Sequence, residues 1–351
     1  MTLLSIIAFI LILGVIVLVH EFGHFIWAKK FGVHIYEFSI GMGPVIFTHE
    51  GKDKIKYRLR LLPIGGFVQM AGEVYEDDEK IDKKKFMCNK PWHQRIIIIV
   101  AGVVNNFILA LVLLFVYALI WGATTSTTRI TMIEKDSAMD KAGINVGDKI
   151  IAVNGKKVKS WEKAQILLVL KSKDNKYDIK IKHENNKSEV YTVKPKKVYD
   201  KDLKTDRYVF GFQVKQKVKH GFTSAIKFAF TKFASVVETM WLTIKNLCIG
   251  KLSLKNISGP VGVYQVVNSS IAAGISYLIY ITAFLSINVG FINILPLPAF
   301  DGGRAFFMLI EKIRRKPVNS KIENTVHTIG FILLLILMIF ITWQDILRLF
   351  K

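Results

Sequence analysis

The sequence contains little cysteine, and its first stretch contains no charge. Only two cysteines, Cys88 and Cys248, occur in 351 residues. That is too few for the disulfide framework of a small secreted protein, so we expect two free thiols. Residues 2–19 carry no charged side chain, no Lys or Arg precedes them, and no small-x-small cleavage site follows them. These absences argue against a signal peptide and predict a membrane-spanning helix over residues 1–28.

The composition indicates a membrane protein that carries a soluble insert. Hydrophobic residues make up 51% of the chain, and the net charge is +22. The chain is therefore too apolar for an ordinary soluble domain and too charged for a bare helix bundle. Three more apolar runs predict further spans, at residues 96–121, 277–301 and 326–346.

Basic residues in the short loops predict the orientation. Residues 29–95 contain 13 Lys and Arg, and residues 304–321 contain six more. Both loops should be cytoplasmic, which leaves both termini and the insert outside the cell. The insert, residues 122–274, has 28 Lys and Arg against 13 Asp and Glu. Because the charge is spread along the chain, we expect membrane lipids as partners and no nucleic acid.

A zinc-binding pattern follows the first apolar run directly. His20 and His24 stand four residues apart, so on a helix both imidazoles face one metal ion. Glu21, between them, can take a proton from a water molecule. Ionisable residues inside a span are rare and are usually functional. We therefore expect one Zn²⁺, which needs a third protein ligand.

The other predicted spans offer few candidates for that ligand. The second span has no ionisable group, only the amides Asn105 and Asn106, and the last has His327 and Asp345 near its ends. Asp301 is the one carboxylate that follows the third apolar run. The two prolines just before it predict a broken helix, which is tolerated at membrane depth where backbone lines a site.

The side of the membrane that Asp301 reaches depends on residues 222–248. Their apolar residues recur at steps of three and four, which predicts one apolar stripe and a surface helix rather than a span. The stripe consists of Ile226, Phe230, Phe233, Val237, Met240, Ile244 and Leu247. Without a span here, Asp301 arrives on the same side as His20 and His24.

Several motifs together resemble the site-2 intramembrane zinc metalloproteases, of the bacterial regulator-of-sigma-E protease (RseP) type. The match covers nearly the whole chain, and the motifs occur in the family's order. They are HEFGH at 20–24, GMGP at 41–44, PIGGF at 63–67, AGVVNNF at 101–107, SGPVG at 258–262 and the segment from Asn293 to Asp301-Gly302. Phe300 stands where the family usually has leucine, and Met42 where it often has phenylalanine.

The resemblance implies roles for individual residues. His20, His24 and Asp301 would bind the zinc, Glu21 would activate water, and Asn293 would help to hold substrate. We also expect substrate contacts from a second group, namely Gly65, Gly66, Pro296 and Pro298. The implied substrates are single-pass membrane proteins, such as trimmed anti-sigma factors or remnant signal peptides. The implied location is the bacterial inner (plasma) membrane, with the active site near its cytoplasmic leaflet. The oligomeric state stays open.

Two further segments have recognisable patterns. Residues 35–69, in the loop 29–95, read as β-hairpins, either an ordinary cytosolic hairpin or, as in the resembling family, a β-loop that dips toward the active site. Its edge could then pair with an unwound substrate. Residues 127–217 look like one PDZ domain, with the pattern AGIxxGD…VNG. This module could bind a peptide end or exclude bulky substrates.

The predicted fold is a polytopic α-helical membrane protein. It has four transmembrane helices, a membrane-associated β-loop and one α+β PDZ-like domain. The predicted function is intramembrane zinc endopeptidase. A membrane-anchored protease that cuts soluble segments would instead need a third ligand in a cytosolic helix. A non-catalytic PDZ scaffold would be expected to have lost the HExxH pattern, which is intact here.

Overall fold

A computed structural model describes most of the chain. The described residues are 3–73, 81–125, 127–158, 160–170, 173–200, 205–214, 217–250, 252, 259–316 and 318–350. The chain divides into two compact units. The first comprises residues 1–113 and 259–342, and the second comprises residues 114–258 and 343–351.

The described chain contains helices of very different lengths and mostly short strands. The helices are α1 Leu3–Lys30, α2 Trp92–Trp121, α3 Ala138–Lys141, α4 Trp161–Val169, α5 Phe222–Cys248, α6 Pro260–Ala272, α7 Ile275–Ile294, α8 Asp301–Arg314 and α9 Ser320–Phe350. The strands are β1 Ile35–Glu50, β2 Lys56–Met70, β3 Ala123–Thr125, β4 Ile130–Ile133, β5 Lys149–Val153, β6 Lys156–Lys157, β7 Tyr177–Lys182, β8 Ser188–Val193, β9 Lys196–Asp200, β10 Thr205–Val209, β11 Phe212–Val214 and β12 Lys217–Lys219.

Four of these helices are long and apolar enough to cross a membrane: α1, α2, α7 and most of α9. An apolar helix suits a bilayer because it satisfies its own backbone hydrogen bonds. This confirms the coarse prediction of a membrane protein with four apolar helices and β structure. Helix α5 is long but is not apolar enough to be counted among the candidate spans, as predicted for a surface helix. Both cysteines are free, as expected.

Helices α1, α2 and α7 pack closely in the first unit. A Cβ on Gly23 of α1 would overlap the backbone of Ala101 on α2, so only glycine permits this approach. The Asn105 amide donates to the carbonyl of Val19, 3.2 Å away. Ser286 of α7 donates to the carbonyl of Asn106, 2.8 Å away. These bonds hold the three helices together around the site described below.

Strands β1 and β2 form a bent antiparallel pair in the same unit. Residues 37–40 lie between two segments of β2, pairing with residues 66–69 on one side and 56–59 on the other. The bends fall at Gly41, Gly43 and Gly65, which all have left-handed φ angles. Several large apolar side chains at the far end of the sheet are exposed, among them Met42, Val45, Ile46, Phe47, Leu61 and Leu62.

The chain breaks between α7 and α8, as the two prolines predict. Leu295 is extended, with ψ 141°, because proline at position 296 disfavours helical backbone in the residue before it. Helix α7 therefore ends at Ile294, short of the predicted limit at residue 301, and Asp301 begins a new helix. Ala299 has a left-handed φ of 73° in this connection, which is hereafter called the α7–α8 loop (residues 295–300).

The second unit contains the region in which a PDZ module is predicted. Its largest sheet has the order β6-β5-β7-β8, and β4 pairs with β11. The core is apolar and includes Ile130, Met139, Ile150, Leu167, Tyr177 and Ile179. Asn154 and Gly155, both with positive φ, form the turn between β5 and β6. The PDZ assignment itself stays a prediction.

Helix α5 packs against α4 within this second unit. Ser160 and Ser235 share a hydrogen bond of 3.1 Å, and Lys163 pairs with Glu238. The buried face of α5 includes Ala225, Phe228 and Ala229. Two residues of the predicted apolar stripe, Ile226 and Phe230, are instead exposed. That the exposed stripe lies on a membrane surface stays a prediction.

Candidate metal centre

Three of the predicted site residues converge in the first unit. His20 and His24 lie on successive turns of α1, and both are buried. Their Nε2 atoms are 3.2 Å apart. Oδ2 of Asp301, the first residue of α8, lies 3.0 Å from Nε2 of His20 and 3.4 Å from Nε2 of His24. Among the described residues, this is the only group of three or more His, Cys, Asp or Glu side chains close enough to share a metal ion.

The triangle of donor atoms fits a zinc ion. Zinc binds nitrogen and carboxylate oxygen at about 2.0–2.2 Å in a tetrahedron, so neighbouring donors should lie about 3.3 Å apart. The observed separations of 3.0, 3.2 and 3.4 Å are close to this value. Three protein donors leave one tetrahedral position for water or substrate, as catalytic zinc sites require.

Hydrogen bonds to the second ring nitrogens orient both imidazoles. Nδ1–H of His24 donates to the carbonyl of Ile98, 2.8 Å away, which leaves Nε2 without a proton and able to bind a metal. The Asn106 amide nitrogen lies 3.2 Å from Nδ1 of His20, and its oxygen has no partner among the described residues. A half-turn of this amide would let Oδ1 accept from Nδ1–H and free Nε2 of His20 in the same way.

Gly102 of α2 provides the space that the two imidazoles occupy. A Cβ at this position would lie 2.8 Å from Nε2 of His20 and would overlap Nε2 of His24. Real Cβ atoms do not approach other atoms so closely. Gly102 and Asn106 are four residues apart, so both face the histidines from one side of α2.

Glu21 lies beside the histidines and borders a cavity of about 190 Å³. Gly66 of β2 lies close to it, because a Cβ on Gly66 would be 3.7 Å from Cγ of Glu21. The sheet therefore brings its backbone to the candidate base. The cavity is lined by His20, Glu21, His24, Phe67, Val68, Met70, Glu73, Met87, Ile98, Ile99, Ala299, Phe300, Asp301 and Arg304.

Two residues that line this cavity, Glu73 and Arg304, form an ion pair. Arg304, one turn after Asp301 on α8, donates to the carboxylate of Glu73, which follows β2. Both side chains are partly buried. The pair therefore joins the chain beyond β2 to the helix that begins with Asp301.

The predicted substrate residues differ in their exposure and in their position relative to the cavity. Asn293 is half-buried on the last turn of α7, Pro296 is exposed, and Pro298 is half-buried. None of the three lines the cavity. Gly65 does not line it either and lies against Met42, whereas the adjacent Gly66 is near Glu21. Their roles in binding substrate stay predictions.

The sequence left two other candidates for the third ligand, and both lie outside the cluster. Nδ1 of His327, on α9, accepts a hydrogen bond from the backbone N–H of Ala299 at 3.0 Å. Asp345 is buried in the second unit. Asp301 is the candidate that the structure brings to the histidines.

Sequence reasoning missed several residues around the site. Asn106 was noted as an amide and as part of the motif at 101–107, and His327 only as a possible ligand. Gly102, Glu73 and Arg304 were assigned no role. Gly102 and Asn106 both lie in that motif, and their spacing in a span without ionisable groups was a further local signal.

Comparison with known proteins covers almost the whole chain. A model of peptidase family M50 matches residues 8–337. The zinc metalloprotease RasP of Shouchella clausii is 33% identical over 426 residues, covering 99% of this chain and 100% of that protein. The regulator of sigma-W protease RasP of Bacillus subtilis is 31% identical over 423 residues, covering 99% of each. A putative zinc metalloprotease of Clostridium acetobutylicum is 35% identical over 347 residues, covering 99% of this chain and 98% of that protein. The range matched to the family includes all three residues of the cluster.

Proposed function

The chain belongs to peptidase family M50, the site-2 protease family, and is a zinc metalloprotease; we propose that it cleaves peptide bonds within the membrane-spanning segments of other proteins. The observation that carries this proposal is the position of the candidate metal centre. His20 and His24 lie on a helix that is apolar enough to span a bilayer, and they lie beside the carboxylate of Asp301, which begins the helix that follows the apolar helix α7. A peptide bond must therefore reach membrane depth to be cut.

The proposed roles follow from the donor atoms. His20, His24 and Asp301 would hold the zinc through Nε2, Nε2 and Oδ2. When bound, zinc polarises the scissile carbonyl and makes water a stronger acid. Glu21 takes a proton from the attacking water and delivers it to the amide nitrogen that leaves. Ile98 and Asn106 keep the two imidazoles oriented throughout.

Strand β2 is the proposed site of substrate presentation. Residues 66–69 pair with β1 along one side, and no other described strand pairs with them along the other. Gly66 is adjacent to Glu21, so an extended segment added to this edge would pass beside the base. Main-chain pairing tolerates varied side chains, and it requires the substrate helix to unwind first. The exposed apolar residues at the end of the sheet favour contact of this region with lipid.

The proposed substrates are single-pass membrane proteins already shortened by another protease. Family resemblance suggests membrane-spanning anti-sigma factors or remnant signal peptides. A relative that is named as a regulator of sigma-W protease favours the first of these.

The proposed topology follows the loop charges. The candidate site would lie near the cytoplasmic leaflet of the plasma membrane, with both termini and the PDZ-like module outside. In that position the module would meet the outer part of a substrate, either binding its end or excluding it by size. Helix α5, with exposed Phe222, Ile226 and Phe230, would rest on the outer surface of the bilayer.

The test uses the full-length protein in lipid nanodiscs with a model single-pass substrate. We expect one zinc per chain and cleavage sites, mapped by mass spectrometry, inside the substrate's apolar segment. Glu21→Gln should keep its zinc and lose cleavage by about 10²–10⁴-fold. His20→Ala and Asp301→Ala should lose zinc as well. Cleavage confined to soluble segments would replace this proposal with that of a membrane-anchored protease.

A further inference from the structure

Helix α9 contacts the α7–α8 loop through a histidine. The backbone N–H of Ala299 donates to Nδ1 of His327, with 3.0 Å between the two nitrogens. Ala299 has a φ of 73°, in the left-handed region that a residue with a Cβ rarely occupies. The bond therefore holds the loop at its least favourable residue, two positions before Asp301.

Two further contacts pack α9 against the same loop and against the start of α8. A Cβ on Gly330, one turn beyond His327, would overlap the ring of Pro298. A Cβ on Gly303 would lie 3.2 Å from Cε1 of His327. The histidine ring is thus packed between the loop and the first turn of α8. Because both contact points are glycines, α9 can approach the loop and α8 this closely.

The hydrogen bond defines the tautomer of His327. Nδ1 accepts, so the ring proton resides on Nε2. Nε2 is buried and has no hydrogen-bond partner among the described residues. The bond to Ala299 is therefore the polar contact through which this ring acts on the loop.

We propose that His327 is a positioning residue of the metal centre, which it serves by fixing the α7–α8 loop so that the Asp301 carboxylate meets the two histidines. This inference rests on the proposed role of Asp301 as a ligand. His327 touches neither the candidate ligands' donor atoms nor the substrate path along β2. Its effect passes through the backbone of Ala299, much as outer-shell groups orient metal ligands in other sites.

Matched substitutions of His327 test whether its Nδ1 atom is what positions the α7–α8 loop. In His327→Asn, the new side-chain oxygen would lie near the position of Nδ1, where it can accept from Ala299. In His327→Gln, the polar atoms would lie near the position of Nε2 instead. In His327→Ala, zinc affinity measured by chelator competition should fall about 10–100-fold. His327→Asn should restore most of it, and His327→Gln should not.

The cobalt-substituted protein provides a second readout that does not depend on turnover. The visible absorption of bound Co²⁺ reports ligand geometry, so it should change in His327→Ala and His327→Gln and return in His327→Asn. Thr328→Ala is the control, because this neighbouring side chain is exposed and bonds only to its own helix among the described residues. It should match the parent protein in both measurements.

The outcomes separate the two proposals. If Asp301→Ala keeps normal zinc affinity, the ligand assignment fails. If Asp301→Ala loses zinc but His327→Ala and His327→Gln keep parental affinity and spectrum, only the His327 inference fails. If His327→Ala does not fold, the comparison of His327→Asn with His327→Gln still decides, and equal behaviour of these two would overturn the inference.

Discussion

Gly102 of α2 lies so close to His24 of α1 that a single added methyl group would overlap Nε2, the atom proposed to bind zinc. The same methyl group would lie 2.8 Å from Nε2 of His20. The space for both imidazoles is therefore created by the absence of a side chain on the neighbouring helix.

We expect Gly102→Ala to lose zinc and cleavage together. Alanine favours a helix over glycine by about 1 kcal/mol, whereas forcing a methyl group into filled space costs about 1–3 kcal/mol and displaces the histidines. Metal analysis and cleavage assays on the purified variant measure both effects. Val104→Ala, on the exposed side of the same helix, is the control and should behave as the parent. Full zinc content in Gly102→Ala would mean that the imidazoles have room elsewhere.

The side-chain oxygen of Asn106 should contribute to zinc affinity by orienting His20. Removing it in Asn106→Ala should weaken zinc binding by about 10–100-fold, because Nδ1 of His20 loses its orienting partner. Asn106→Asp should preserve binding, since a carboxylate oxygen also accepts from Nδ1–H. Chelator competition gives the affinities. Asn105→Ala provides the comparison, since the Asn105 amide donates to a backbone carbonyl on α1 and not to a histidine. Equal losses at both positions would indicate a general packing defect.

The Glu73–Arg304 pair should be coupled in its effect on catalysis. Glu73→Gln and Arg304→Gln each leave a charge without its partner in a partly buried setting. Each should lower kcat/KM, and the double variant should lose less than the sum of the two. A coupling energy of about 0.5–3 kcal/mol is expected for residues in direct contact. Strictly additive losses would show that the pair does not act as a unit.

Cysteine labelling should test the proposed topology. In a background without the native cysteines, Lys84→Cys and Lys316→Cys should react with an impermeant reagent only from the cytoplasmic side. Lys187→Cys and Lys227→Cys should react only from outside. All four lysines are exposed in the structure, so accessibility depends on the side of the membrane alone. Labelling of Lys316→Cys from outside would indicate that α5 crosses the membrane and would contradict the proposed topology.

Part of this protein follows from its sequence because the determining interactions are local. Two histidines four residues apart share a helix face by the geometry of the helix alone. Long apolar runs specify the four apolar helices, and prolines 296 and 298 end α7 at Ile294 through steric effects on the preceding residues. Family motifs then identify the zinc metalloprotease.

The remainder was decided by tertiary structure. The contacts of His20 and His24 with Asn106 and Ile98 cross 86 and 74 residues of sequence, and Arg304 meets Glu73 across 231. No spacing rule predicts which glycine faces an imidazole or which histidine accepts a hydrogen bond from the backbone of the α7–α8 loop. Those relationships arise only when separate helices pack, because packing alone determines which distant side chains share one small volume.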